Sequence, residues 1–207
     1  MRDVSRTLVI CVAGALFLSS PSLALRKVSA EAGYVATSVS KYASGLVYGV
    51  GIMEGTGRFG FGLSLLRFAN STSYEKPIKS GAGEIIYRYQ EDFSDFYVSI
   101  LGTYMRDNSK KGTLMIAGLG PQVHFLAATK QYILEKVSIT AHEARLGMGA
   151  VLRYERVMGM FGNTTIFVGA AWSWMQSGIE VVGEGEYAPP AEGMTSGTIT
   201  AGLAFPL

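Results

Sequence analysis

The sequence predicts an all-β chain, an antiparallel up-and-down β-barrel that crosses a membrane with its strands. Three observations carry this prediction. The last thirteen residues alternate, with Ile199, Ala201, Leu203, Phe205 and Leu207 on one face and Thr198, Thr200 and Gly202 on the other. Similar alternating stretches recur along the chain at about ten residues each, the length a tilted strand needs to cross hydrocarbon. The opening residues have the form of an export signal.

Arg2 and Arg6 begin that signal, Leu8 to Leu18 form its apolar stretch, and Ser22-Leu23-Ala24 offers a small-x-small cleavage site. Residues 1–24 are therefore read as a signal peptide and 25–207 as one barrel domain. The apolar stretch is shorter than the ~20 residues of a spanning helix. Cys11, the single cysteine, leaves with the signal, so neither a disulfide nor a thiolate metal site is expected. With 18 Lys and Arg against 16 Asp and Glu, there is no basic patch for nucleic acid and no acidic tail. Hydrophobic residues make up 48% of the chain, yet no second apolar run is long enough for a spanning helix. Alternating strands that face lipid reconcile the two facts.

Taken in order, the pattern predicts ten strands, with eight as the alternative. The first spans 28–38 and the second 43–53, followed by a tight turn at 54–57. The third spans 58–68 and precedes a polar loop, 69–80. A fourth strand at 81–90 and a fifth at 96–105 flank a short acidic turn, Glu91 to Asp95. Another loop, 106–112, leads to a sixth strand at 113–125. The seventh, 132–141, is interrupted by Glu135; the eighth, 145–156, alternates cleanly. After Met158 to Asn163 the ninth strand spans 164–176, and a long loop, 178–194, precedes the closing strand. An eight-strand count requires 127–144 to be loop or helix and one further strand to be lost.

Polarity assigns the faces. Aromatic and aliphatic residues turn toward lipid, whereas a glycine-rich face carries Glu31, Arg58, Glu84, Arg88, Arg145, Arg153 and Glu155 into a narrow lumen. Charges there are expected to pair, because burial of an unpaired charge is costly. With the amino terminus in the periplasm, Phe59, Phe61, Phe96, Tyr87, Tyr89, Tyr154 and Phe205 fall at the periplasmic rim. Tyr104, Trp172 and Trp174 fall at the outer rim, and the two sets form aromatic girdles. Loops 69–80, 106–112 and 178–194 are then extracellular.

In these features the chain resembles the small outer-membrane β-barrel proteins of Gram-negative bacteria. Where such proteins usually end in an aromatic residue, this chain ends Phe205-Pro206-Leu207, with Phe205 on the lipid face. The resemblance implies residence in the cell outer membrane, contact with outer-membrane lipid and lipopolysaccharide, and insertion by the barrel-assembly machinery. The expected role is non-enzymatic, structural or surface-interacting. An extracellular partner is expected at 178–194, where Tyr187-Ala-Pro-Pro190 and three glutamates cluster.

A channel for small solutes and a lipid-modifying barrel enzyme are the alternatives, and a secreted soluble barrel binding an apolar ligand is a remoter one. His142-Glu143 with Ser138 nearby is the one candidate for hydrolysis, but no aspartate lies near them in sequence. No catalytic set, metal site or cofactor is predicted. The GxG spacings lack the strand-turn-helix setting that phosphate binding needs.

Overall fold

The computed structural model describes residues 25–38, 44–80, 83–133, 136–158, 164–176 and 193–207. The predicted signal peptide and most of the 178–194 stretch lie outside them. Eight antiparallel strands close into a barrel: β1 (Leu25–Thr37), β2 (Gly45–Thr56), β3 (Phe59–Ser80), β4 (Gly83–Asn108), β5 (Thr113–Tyr132), β6 (Val137–Val157), β7 (Thr165–Met175) and β8 (Met194–Pro206). Every strand pairs with its sequence neighbours, and β8 closes on β1 with Val28 opposite Phe205 and Val35 opposite Thr198. Along the stretch where all eight strands pair, closure removes the exposed edges that an open sheet would present.

The count is the alternative of eight, and the route to it differs from the one expected. The predicted fourth and fifth strands are one, β4, and the supposed turn Glu91–Asp95 lies within it, Glu91 opposite Thr72 and Asp95 opposite Phe68. The predicted loop 69–80 is the second half of β3. Likewise the predicted seventh and eighth strands are the single strand β6, while residues 127–132 continue β5. The other predicted loop, 106–112, belongs to the opposite end of the barrel, where the Met105 amide donates to the Arg58 carbonyl at 2.7 Å.

These differences have one cause. β3 to β6 contain 20 to 26 residues each, against 11 to 13 in the other four. A crossing takes about 9–11 residues, so β3 to β6 continue past the hydrocarbon and stand as a four-stranded wall above it. There the outward face meets water. On β3 it changes from Leu65 to Ser71 and Ser73, on β4 from Phe96 to Asp92 and Gln90, and on β5 from Phe125 to Thr129 and Gln131. Such composition mimics a turn, although pairing continues through it. The end bearing the wall is extracellular by the rule that barrels have short periplasmic turns.

Below the wall, the outer surface is an apolar belt with Leu46 74% exposed, Leu146 75% and Ile199 71%. Core and belt thus occupy opposite sides of the same strands, as alternation demands.

Candidate functional site

The lumen holds three layers. At the extracellular mouth, an apolar plug of Val35, Val47, Leu66, Phe68, Phe93 and Leu126 packs with Tyr97, Met175 and Met194. At the periplasmic end, Met53, Met105 and Ile116 form a second apolar cluster. Between them lies a polar layer beside a cavity of about 90 Å³, room for a few water molecules. Ser29, Ser99, Gln122, Arg153, Ser173 and Thr200 line it.

Two charged groups organise the polar layer. Glu155 on β6 is fully buried, accepts from Lys27 Nζ on β1 at 2.6 Å and forms an ion pair with Arg153 at 2.7 Å. Thr165 on β7 donates to the same carboxylate at 3.2 Å. The Arg153 guanidinium also lies 3.3 Å above the Phe167 ring and donates to Ser29 at 3.3 Å. Three strands are thereby tied across the barrel. Gly51 on the same face leaves the space that Ser29 occupies, as Gly147 and Gly149 do for His124 and Gln122.

The second group joins β4, β5 and β7. His124 Nδ1 donates to Asp95 at 2.8 Å, and His124 Nε2 lies 3.3 Å from Ser173 Oγ. The Ser173 hydroxyl donates to Gln122 Oε1 at 2.6 Å, and the Gln122 amide donates to Ser99 at 2.9 Å. The Tyr97 ring stacks on the imidazole at 5.0 Å. Serine, histidine and aspartate thus stand in the order of a hydrolytic triad. Their enclosure argues for a different role: they are 6%, 1% and 3% exposed beneath the plug, and the serine proton is directed at Gln122 rather than the imidazole. The sequence does not reveal this group, because Glu91 to Asp95 has the composition of a turn; only the pairing of Asp95 opposite Leu126 brings it beside His124.

Of the remaining residues expected in the lumen, Glu31 and Arg145 have inward positions on β1 and β6, and Arg145 pairs with Glu143. Arg58 does not; it is exposed at the periplasmic turn between β2 and β3. Arg88 is on the outward face of the wall, paired with Glu75 at 2.9 Å. The Glu84 and Tyr87 side chains lie outside the described ones. Arg88 and Tyr89 exchange faces relative to expectation because alternation runs unbroken through 91–95; without a turn there is no change of phase. Tyr89 consequently points inward, stacked on Tyr74 at 5.2 Å.

Other girdle residues also move. Tyr104 belongs to the periplasmic rim, 5.7 Å from Phe59, and Phe96 to the outer part of the belt, 6.0 Å from Phe125. Phe59, Phe61, Tyr154 and Phe205 line the periplasmic side, Trp172 and Trp174 the outer side. His142 and Glu143 are adjacent on β6 and so project to opposite faces, which separates the pair considered for hydrolysis. Among the described residues no group of three or more His, Cys, Asp or Glu is placed to hold a metal.

No protein-family model matches the chain, and no curated protein sequence matches it. Its fold does match solved structures. Neisserial surface protein A superimposes with a TM-score of 0.56 at 13% identity, over 90% of this chain and 100% of that one. A major outer membrane protein from Thermus thermophilus gives 0.56 at 12%, over 88% and 99%. At such identities the likeness is one of fold. Joined to the apolar belt outside and the enclosed charges within, it gives this chain the fold of a small eight-stranded transmembrane β-barrel, the fold those outer-membrane proteins share.

Proposed function

We propose that the protein is a non-enzymatic outer-membrane barrel whose task is to present a rigid wall at the cell surface for interaction with other molecules. The observation that supports it is the continuation of β3 to β6 beyond the belt with a polar outward face. Above Phe68, β3 has no further pairing with β2, and before Gly147, β6 has none with β7, among the described residues. Among the described residues the wall therefore ends in two strand edges, a surface on which extended partners can add. The enclosed lumen supports a role outside the barrel, and the buried Ser173-His124-Asp95 group is read as structural. In this proposal residues 1–24 are removed on export and the barrel-assembly machinery inserts the chain. The 178–194 stretch adds, on sequence grounds, to the recognition surface.

The test is to replace residues 71–92 with Asn-Gly, which joins the facing residues Asn70 and Phe93 by a two-residue hairpin. The shortened barrel should still fold, shown by heat-dependent migration on a gel. Cells displaying it should lose adhesion to immobilised matrix proteins and glycans that cells displaying the full chain retain. Equal adhesion by both would overturn the proposal.

A further inference from the structure

The lipid-facing surface carries one feature that neither belt nor wall accounts for. Arg67 on β3 points outward at the top of the belt, exposed, with Tyr48 of β2 opposite it on one side and Phe96 of β4 on the other. Of the outward positions on described strands between the periplasmic rim and the wall, it alone is ionised. It has no ion pair or hydrogen bond among the described residues. An ionised side chain facing lipid marks a functional site, and its partner must come from the lipid phase or its headgroups. Arginine at this depth can extend its guanidinium to the interface, where its fork of donors fits phosphate. Half-exposed Tyr48 offers a hydroxyl at the same level.

Directly above lies an open groove of about 440 Å³ on the outward face. Its floor is made of small residues, Ala69, Ser94 and Ala127, and its upper wall of Ser71, Asp92 and Thr129. The Asp92 carboxylate is held by the Gln90 amide at 2.9 Å, leaving acceptor capacity toward the groove. The lower end opens on the belt at Leu65, Val98 and Val123. From bottom to top the surface therefore offers apolar contact, one cation, then a shallow space with hydroxyls and an acceptor. A glycerophospholipid would satisfy the first two levels. A sugar ring also satisfies the third.

We infer that Arg67 and the groove above it bind a phosphorylated glycolipid of the outer leaflet. Its phosphate rests on Arg67 and Tyr48, its sugar in the groove, and its acyl chains along the belt. The test uses the full barrel in detergent, with binding of three probes read by native mass spectrometry: bisphosphorylated lipid A, its dephosphorylated form, and phosphatidylglycerol. Bisphosphorylated lipid A should bind at least tenfold more tightly than either of the others. Arg67→Gln should remove that preference, and Ala127→Trp, which fills the groove, should lower lipid A affinity while sparing phosphatidylglycerol. Arg156→Gln at the periplasmic rim should change nothing. Unchanged lipid A binding by Arg67→Gln would overturn the inference. So would equal binding of phosphatidylglycerol, which marks general anion attraction, or of the dephosphorylated form.

Discussion

Glu155 shows what a single residue does here. It is fully buried between two cations, Lys27 and Arg153, drawn from the two strands on either side of the interior. Truncating one partner of a buried ionic group leaves uncompensated charge, at about 3–5 kcal/mol. Glu155→Gln keeps the shape and removes the charge, so it should lower unfolding stability in detergent by that order, measured by urea titration. Arg58→Gln, at an exposed turn, should stay within about 0.5 kcal/mol. The sequence showed that Glu155 and Arg153 share a face. Their partner Lys27 was invisible to it, because Lys27 comes from a strand 128 residues away in the chain.

At the scale of the element, the decisive feature is the closing seam between β1 and β8. Gly33 faces Thr200 and Glu31 faces Gly202. A methyl group at Gly33 would collide with the Ile199 carbonyl, and one at Gly202 with the Ala30 carbonyl. Gly33→Val should therefore abolish closure, seen as loss of heat-dependent gel migration and of protease resistance. Gly197→Val on the same seam meets open space and should fold. A fold that tolerates neither change, or both, would refute the steric account. Strand faces in β1, β2, β7 and β8 were legible because each strand is barely longer than the membrane crossing, so one pattern of polarity covers it. β3 to β6 were not, since the same face meets hydrocarbon and then water, and a local pattern cannot distinguish that crossing from a turn.

As a whole molecule, the barrel is closed at both ends of its cavity. The plug over the extracellular mouth and the Met53, Met105 and Ile116 cluster below leave about 90 Å³ between them. An eight-stranded interior is just wide enough to be filled by side chains. Purified protein in planar bilayers should show no discrete conductance steps. The triple variant Leu66→Ala, Phe68→Ala and Phe93→Ala should introduce small ones, and steps in the unaltered protein would contradict a sealed lumen.

Alternation by itself determined that the chain is a barrel with lipid outside and charge within, because a period of two is a local property that any single strand displays. The tertiary structure alone decided the number of strands, the wall and the meeting of Asp95 with His124. Those depend on register and closure, and hydrogen bonding between residues far apart in sequence sets both.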